Sequence, residues 1–374
     1  MRIGYEGKKA AINLTGIGNY SRRCVNSMVA CGHQVMLFVP SRRRKEAISQ
    51  INSGVELIEP PRYLRHGLLY ELWRIWLSCS DIQHRNAEIF HGLSNELPFG
   101  ISRCKKCRKV VTIHDLIFLT HPETYKRSAR IILKKKTRYA CRVADKVVTI
   151  SQRTKEDLIS YYGIEAGKIT VIYQSISPVY FQPVLPAQIA SVREKHQLPE
   201  KYVLCVATLE RRKNQECLVR AMRHLDTTIH LVLAGKPTPY QDYLVQLAKE
   251  QQVDHRVHIL NHIPAEDLPA IYHGAHLFAY MSLYEGFGLP VAEALACGIP
   301  VVAATGSCLE EAGGPHSIYI GPNDHESLAK ELTRISQDPS LYSQMSINGK
   351  AYAQQFNDES MGASLLALYQ KLLS

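Results

Sequence analysis

The 374-residue chain has no uninterrupted apolar run of the roughly 18 residues that a membrane-spanning helix needs, although 45% of its residues are hydrophobic. This absence excludes a helical membrane protein. The apolar content supports a large core, which at this length we expect to be divided between two domains. The first residues read as a β-strand and show no signal-peptide core, so we expect a cytoplasmic protein.

Metal-binding patterns are scarce as well. No Asp-x-Asp motif occurs, so we expect activity without a divalent metal and without a cofactor beyond the substrates. The ten cysteines are scattered, and the single C-x-x-C, from Cys104 to Cys107, has no second pair to complete a tetrahedral zinc site. Reduced thiols in a reducing compartment are the expected state, and a zinc or redox pair is the alternative.

Acidic residues are few in the first half of the chain. Residues 1–180 hold 30 Lys and Arg against 14 Asp and Glu, a net charge of +16, whereas residues 181–374 carry a net charge of −5. This asymmetry predicts two domains with different partners, of which the N-terminal one faces something anionic.

Short β-rich runs alternate with helical patterns through almost the whole chain. The candidate strands are apolar and rich in Val and Ile, as buried parallel strands are, and comprise residues 35–39, 110–113, 146–149, 169–172, 202–206, 230–234, 257–260, 277–280, 299–303 and 318–320. This alternation predicts an α/β fold with doubly wound sheets. Prolines interrupt residues 177–200, where we place the domain boundary. Helical patterns over residues 327–335, 341–355 and 359–373 close the chain.

Residues 285–293 (EGFGLPVAE) join a compact glycine turn to a helix that carries a second carboxylate. The glycines let backbone N–H groups approach a ligand, and the helix N-terminus attracts anions. Glu285 and Glu293 lie a little over two helical turns apart, on roughly one face if the helix starts early. A site whose backbone amides bind phosphate and whose carboxylates bind hydroxyls suits a sugar nucleotide. The alternative is a surface acid and a buried capping acid.

A basic segment, residues 210–214 (ERRKN), follows the predicted strand 202–206. In doubly wound sheets, ligands bind beyond the carboxyl ends of the strands. Arg offers a bidentate fork and Lys a point charge, so Arg212 and Lys213 suit a diphosphate. A solvated charge run is the alternative. Glu310 and Glu311 also follow a predicted strand, but two adjacent acids are weak support for a site.

Two motifs of the N-terminal half also follow predicted strands. His114 and Asp115 directly follow strand 110–113, where the pair would orient a substrate or hold a tuned imidazole; a capping Asp beside a structural His is the alternative. His91 is a similar but weaker candidate. Residues 15–20 (TGIGNY) form a possible phosphate or acceptor loop, with an ordinary strand-to-helix turn as the alternative.

Residues 101–138 form a basic tract with 12 Lys and Arg against two acidic residues. Apolar residues follow helical spacing at Ala129, Ile132, Leu133, Ala140, Val143 and Ala144. A cationic, half-apolar helix suits an anionic membrane surface, and a helix packed on its own sheet with a solvated basic face is an equal alternative. Few aromatic residues are interleaved to stack bases, so nucleic-acid binding is not expected.

Together these motifs resemble the retaining glycosyltransferases of family 4, which have the GT-B fold. Residues 285–302 resemble the family's E-x7-E block. Residues 207–214 (ATLERRKN) resemble its G-T-L-E-P-R-K-N segment. Residues 111–116 and 121–123 resemble the branch that includes O-antigen mannosyltransferases.

The resemblance covers nearly the whole chain and implies its domain organisation. Two doubly wound, Rossmann-like domains would face a central cleft. Residues 1–180 would bind the acceptor and residues 181–356 the nucleotide sugar. The helix from about residue 357 to 374 would pack back on the first domain.

The resemblance also implies roles for matching residues. Glu293 would bind the donor ribose, and Glu285 would contact hydroxyls of the transferred sugar. Arg212 and Lys213 would hold the diphosphate. The backbone of the glycine turn would help, through Gly286, Phe287, Gly288 and Leu289.

In the N-terminal half, the resemblance places His114 near the reacting face of the sugar. Gly16 and Gly18 would line the cleft near the diphosphate or the acceptor. The catalytic set implied by the resemblance is thus His114, Glu285, Arg212 and Lys213.

The implied activity is transfer of a hexose from a nucleotide diphosphate sugar to a glycan acceptor in cell-surface polysaccharide synthesis. GDP-mannose is the first donor expected, and a UDP-hexose is the next. The alternatives are a sugar-nucleotide 2-epimerase of the same fold and a non-catalytic sugar-nucleotide-binding scaffold. The basic N-terminal half suggests a lipid-diphosphate-linked acceptor and a peripheral position on the inner face of the plasma membrane.

Overall fold

The computed structural model describes residues 1–40, 43–65 and 67–374 of the chain. The chain forms two compact units. Unit 1 comprises Met1–Ser175 and Asp358–Ser374, and unit 2 comprises Ile176–Asn357. The proline-rich boundary near residues 177–200 predicts a division there, and the family resemblance implies the return of the last helix to the first domain.

Unit 1 is built on a seven-stranded sheet. Its strands are β1 (Arg2–Glu6), β2 (Gln34–Phe38), β3 (Val55–Ile58), β4 (Ile89–Gly92), β5 (Arg108–Ile113), β6 (Lys146–Thr149) and β7 (Ile169–Val171). They lie in the order β3-β2-β1-β4-β5-β6-β7, and all neighbouring pairs are parallel. The strands are mostly buried, as expected of parallel strands covered on both faces.

Helices cover both faces of this sheet. They are α1 (Lys8–Ile12), α2 (Gly16–Ala30), α3 (Lys45–Ile48), α4 (Gly67–Leu72), α5 (Ser78–His84), α6 (Ile117–Thr120), α7 (Arg127–Val143), α8 (Gln152–Tyr162) and, in the same unit, the last helix of the chain at Asp358–Leu373. A π-helical turn, Trp73–Leu77, joins α4 to α5. Strand order runs outward from β1 to β3 and then from β4 to β7 on the other side. Because such crossovers are right-handed, α1 to α3 lie on one face and α4 to α8 on the other.

Unit 2 is built on a six-stranded sheet. Its strands are β8 (Tyr202–Val206), β9 (His230–Ala234), β10 (Val257–Leu260), β11 (Leu277–Tyr280), β12 (Val301–Ala304) and β13 (Ile318–Ile320). The order is β10-β9-β8-β11-β12-β13, again with parallel pairs. The prediction of two doubly wound α/β sheets is confirmed.

One helix of unit 2 precedes its first strand, and the others follow its strands. They are α9 (Pro186–Lys195), α10 (Gln215–Ala221), α11 (Tyr240–Glu250), α12 (Leu268–His273), α13 (Leu289–Ala296), α14 (Leu309–Gly313), α15 (His325–Gln337) and α16 (Pro339–Ala353), and the last helix of the chain, in unit 1, is α17. Among the described residues, no helix combines the length and the apolar character needed to cross a membrane.

The cysteines form no disulfides in the described ranges, and all ten thiols are free. Cys104 and Cys107 are both buried. Within the described part of the chain, neither belongs to a group of three or more side chains placed to hold a metal ion. The geometry therefore gives no support to the alternative of a zinc site at the C-x-x-C pair.

Candidate functional site

Two loops of unit 2 bring three charged side chains together. A 3-10 helical turn, Arg211–Lys213, follows β8, and the loop after β11 carries Glu285. Because β8 and β11 are parallel neighbours, both loops leave the sheet at its carboxyl edge. Lys213 Nζ lies 2.5 Å from Glu285 Oε1, and Arg212 Nη1 lies 3.4 Å from Glu285 Oε2. One carboxylate therefore bridges the two cations.

The ionisation of Glu285 follows from this arrangement. Burial alone would raise the pKa of Glu285, but the charges of Lys213 and Arg212 outweigh burial and lower the pKa to about 2. The carboxylate is ionised at neutral pH and holds both cations in place. Arg212 also donates to Glu210 Oε1 at 2.5 Å. The predicted diphosphate clamp is thus built from side chains that are already ordered by carboxylates.

Three neighbours of this cluster were missed by sequence reasoning. Tyr280, the last residue of β11, donates to Glu285 Oε1 at 3.0 Å and accepts from Lys213 Nζ at 3.2 Å. Cys308 Sγ donates to the backbone oxygen of Glu285 at 3.1 Å. Ser282 Oγ donates to the backbone oxygen of Arg212 at 3.2 Å. The one available signal was the position of Tyr280 at the carboxyl end of a strand, just before the glycine turn.

The glycine turn leads directly into α13, which begins at Leu289. Gly288 has a φ of +107°, and a Cβ added there would lie 2.7 Å from Leu309 Cδ2. Both the conformation and the space therefore require glycine. Gly286 is half-buried and Phe287 is buried. The positive end of the α13 dipole is at this turn, where it favours a bound anion.

The two glutamates were expected on one helical face only if the helix started early, and this condition is not met. Because α13 begins at Leu289, Glu285 precedes the helix and only Glu293 lies on it. Glu293 is half-buried, and Tyr272 donates to its Oε2 at 2.9 Å. The predicted ribose contact of Glu293 stays a prediction.

In unit 1, His114 directly follows β5 and is buried. Its Nε2 lies 2.8 Å from the carbonyl oxygen of Leu93, and its backbone N–H donates to Asn95 Oδ1 at 2.8 Å. A carbonyl only accepts, so Nε2 carries the proton and Nδ1 of the neutral ring is an acceptor. The ring of Tyr20 packs edge-on against the imidazole, with centroids 4.9 Å apart.

Burial is the main reason that the pKa of His114 is lowered to about 4. The hydrogen bond to Leu93 opposes this shift, and the charge of Lys9 adds to it. The imidazole is therefore neutral at pH 7, and its Nδ1 suits a hydroxyl donor rather than an anion. Asp115 Oδ1 accepts from the backbone N–H of Ile117 at 3.1 Å. This contact agrees with the alternative interpretation, in which Asp115 is a capping residue.

His91 has internal partners on both ring nitrogens. Its Nδ1 lies 2.6 Å from the hydroxyl of Tyr369 on α17, and its Nε2 lies 2.8 Å from Thr112 Oγ1. Burial lowers the pKa of His91 to about 3. This histidine ties α17 to the sheet of unit 1, which favours a structural role.

Gly16 and Gly18 lie in the first turn of α2, so the predicted loop is a helix start. A Cβ at Gly18 would lie 1.9 Å from the backbone oxygen of Asn13. Glycine at this position therefore serves close packing of the chain on itself. Gly16 is exposed with open space around it. Only Gly16 of the pair is open to a ligand.

A charged cluster that the sequence did not predict lies at β1 and α7. The guanidinium of Arg74 is buried among carboxylates, with Nη2 2.7 Å from Glu71 Oε2 and Nη1 3.9 Å from Glu6 Oε1. Glu96 contacts both Arg74 and Lys136, the latter at 2.9 Å. Apart from the Glu71–Arg74 pair, these residues are far apart in the chain, so no local sequence pattern predicts the cluster. The cluster fixes α7 against the π-helical turn.

The basic tract, residues 101–138, includes most of α7, and the buried residues of this helix are Thr137, Ala140 and Cys141. These contacts agree with the alternative of a helix packed on its own sheet. Ile132, which was expected on the apolar side, is exposed together with Ile131. The apolar residues of α7 therefore divide between the core and the surface.

Solved structures share the architecture of both units. Sucrose-phosphate synthase from Thermosynechococcus elongatus is 22% identical, with a TM-score of 0.79 over 100% of this chain and 99% of that chain. The Anabaena protein Alr3699/HepE in complex with UDP-glucose is 18% identical, with a TM-score of 0.77 over 99% and 100%. Two parallel-sheet Rossmann-like units with such neighbours define the GT-B fold.

Family profiles match most of the chain. Residues 14–179 match the profile described as Glycosyltransferase Family 4, and residues 188–352 match Glycosyl transferases group 1. The chain therefore belongs to the family 4 glycosyltransferases. O-antigen chain mannosyltransferase B of Escherichia coli is 28% identical over 391 residues, which cover 100% of both chains.

Proposed function

We propose that this glycosyltransferase transfers mannose from GDP-mannose to a hydroxyl of a growing cell-surface glycan, with retention of the anomeric configuration. The observation that carries the proposal is the Lys213–Glu285–Arg212 cluster at the carboxyl edge of the unit 2 sheet. The choice of mannose is supported by full-length similarity to a bacterial mannosyltransferase. A UDP-hexose is the next donor to test.

The proposed chemistry is positioning plus electrostatic stabilisation. The acceptor oxygen bonds to the anomeric carbon on the face from which the diphosphate leaves, and the bond from that carbon to the phosphate oxygen breaks. The acceptor proton passes to the departing diphosphate. Lys213, Arg212 and the N-terminus of α13 stabilise the negative charge that develops there.

In this mechanism Glu285 has two tasks. It holds Lys213 and Arg212 through its carboxylate before the donor binds. It then accepts hydrogen bonds from hydroxyls of the transferred sugar. In unit 1, the Nδ1 of His114 accepts from another sugar hydroxyl. Glu293 on α13 binds the ribose of the donor.

We propose that no divalent metal takes part, because the two cations and the helix dipole supply positive charge for the diphosphate. Turnover that is lost in chelator and restored by added metal would contradict this part.

The proposed acceptor is a glycan on a lipid diphosphate, and the enzyme works at the inner face of the plasma membrane. The excess of Lys and Arg over residues 1–180 supports this location, since anionic lipids attract cationic surfaces.

The testing experiment offers GDP-mannose, UDP-glucose, UDP-galactose and UDP-N-acetylglucosamine, each with and without a glycan acceptor. We expect acceptor-dependent release of GDP and a new α-mannosidic linkage by NMR. Donor epimerisation without an acceptor would favour the epimerase instead. Donor binding without any turnover would favour a scaffold.

A further inference from the structure

Unit 1 exposes a stripe of large apolar side chains on the face that carries α4 to α8. In the continuous helical segment 67–84, which includes the π-helical turn Trp73–Leu77, Leu69 is 47% exposed and Leu72 is 46% exposed. Trp76 is 51% exposed, and Leu77 beside it is 49% exposed. Other residues of the segment form its buried side, so the exposed apolar side chains are not part of the hydrophobic core.

The second component of this surface comes from α7. Ile131 and Ile132 are 46% and 54% exposed. Of the exposed residues beside this pair on α7, Arg127, Lys134 and Lys135 are basic, and Ser128 is polar. An apolar pair is thus flanked by cations over the first half of the helix.

Direct contacts join the two components into one surface. The Trp76 ring stacks on Phe99 with centroids 5.4 Å apart, and Phe99 contacts Tyr139 of α7 at 4.7 Å. Glu96 also links Arg74 to Lys136 of α7. We call Leu69, Leu72, Trp76, Leu77, Ile131 and Ile132, with the cations of α7, the apolar–basic face.

We propose that the apolar–basic face docks unit 1 onto an anionic lipid bilayer, with Trp76 and its apolar neighbours at the headgroup level. An indole sits favourably at that level, and lysines beside it attract lipid phosphates. The inference rests on the proposed function, because it identifies the surface by which the enzyme reaches a lipid-linked acceptor.

The positive charge of α7 favours an anionic bilayer, rather than a second copy of the chain, as the partner that binds this face. A symmetric dimer through this face would bring the same cations of α7 opposite one another, which costs energy. An anionic bilayer instead complements them, and the net charge of +16 over residues 1–180 acts in the same direction.

The two tryptophans make the surface directly observable. Trp73 is buried and donates through Nε1 to Asp81 at 2.8 Å, whereas Trp76 is exposed. With vesicles rich in phosphatidylglycerol, we expect a blue shift of the emission and quenching by brominated acyl chains. W76F should remove both changes, because Trp73 stays in the core.

Variants with matched controls test each component by vesicle co-sedimentation. K134E/K135E should lower the affinity by at least about 25-fold, at about fivefold for each charge. K249E/K330E makes the same change in net charge on unit 2 and should leave the affinity unchanged. L72S/W76S should lower it by roughly tenfold or more, and I347S on unit 2 should not.

Transfer to a water-soluble acceptor separates this inference from the proposed function. L72S/W76S should keep that transfer, which also shows that it folds. A wild-type enzyme that transfers sugar but binds anionic vesicles no better than zwitterionic ones would overturn the inference alone. A wild type that docks through these residues but transfers no sugar overturns the proposed function alone. If the wild type forms a dimer that W76S dissociates, and the wild type does not bind vesicles, the face is an interface with a second copy and the inference is overturned.

Discussion

At the residue scale, the expected activity depends on how Lys213 and Arg212 exchange their contacts with Glu285 for contacts with the donor diphosphate. Both cations contact Glu285 in the free protein, so a diphosphate must compete for groups that are already positioned. Preorganised charge of this kind needs little rearrangement as the leaving group departs. The carboxylate prevents the two cations from repelling each other while the site is empty.

We expect Lys213→Ala to lower kcat by about 100- to 1000-fold, the range for loss of one preorganised donor, about 3 kcal/mol. Steady-state kinetics with saturating donor measures the effect. Lys249→Ala, an exposed lysine of α11, is the control and should be silent. Unchanged turnover in Lys213→Ala would remove this residue from the catalytic set.

The depressed pKa of Glu285 predicts how stability depends on pH. The pKa is about 2 in the folded protein against a reference of 4.5, so the unfolded state binds a proton first as pH falls. The stabilisation, about 3 kcal/mol, is complete above pH 4.5 and is lost between pH 4.5 and about 2.

Denaturant titrations of the wild type and Glu285→Gln at several pH values measure this effect. The difference in unfolding free energy should be largest at neutral pH and should shrink as pH falls through that window. A difference that does not change with pH would show that the carboxylate is not held ionised by the two cations.

His114 should act as a neutral acceptor throughout the physiological range. Its pKa, lowered by burial to about 4 from 6.5, leaves no titration of this group near pH 7. We expect kcat to show no ionisation near pH 6.5 and His114→Phe, which removes the acceptor, to lower kcat. A limb at pH 6.5 in the wild type that disappears in this variant would mean that the imidazole ionises during turnover.

Sequence patterns locate some of these residues better than others. Arg212, Lys213 and Glu285 each follow a short apolar strand, and the rule for doubly wound sheets selects such positions. Tyr280 also lies at a strand end, but its contacts and those of Cys308 depend on which strands become neighbours, which the sequence pattern does not give. A hydroxyl at a strand end has no periodic signature.

At the element scale, the start of α13 is where the sequence limits the backbone most strictly. Gly288 combines a positive φ with close packing on Leu309. We expect Gly288→Ala to destabilise the fold by roughly 1–3 kcal/mol and to weaken donor binding, because the helix N-terminus must shift. Gly167→Ala, at a glycine with open space and no positive φ, is the control.

Thermal unfolding and donor titration of both glycine variants measure these effects. A Gly288→Ala protein with wild-type stability and donor affinity would contradict the requirement for glycine at the start of α13.

The sequence predicted strands better than the connections between them. Six strands have the predicted bounds, because each is a short, largely apolar run; they are β6, β8, β9, β10, β11 and β13. β3 was missed, since Glu56 interrupts a run of only four residues. The helical segment 67–84 was missed because apolar residues occur on both its buried and its exposed sides. A helix is usually recognised in a sequence by apolar residues on one side only. The exposed apolar residues that hide this pattern in segment 67–84 are the same ones that form the proposed membrane-binding surface.

At the scale of the whole molecule, the two units have separate sheets and opposite net charge, and we expect them to bind different partners. The groups expected to hold the nucleotide lie in unit 2, whereas His114 and the apolar–basic face lie in unit 1. Local patterns along the sequence predict this division, since composition and charge change near the boundary. They do not predict the long-range contacts, such as that of Tyr369 with His91, which return α17 to unit 1.

Donor binding should therefore stabilise the two units unequally. GDP-mannose at 100 times its dissociation constant contributes about 2.7 kcal/mol, which for a unit of this size raises the transition temperature by about 5–10 °C. In hydrogen exchange we expect slower exchange at the turn Arg211–Lys213 and at the start of α13, with β3 unchanged. GDP should reproduce most of this pattern and free mannose none, because the clamp binds the diphosphate. Protection confined to unit 1, or equal protection by free mannose, would place the nucleotide away from Lys213 and Arg212.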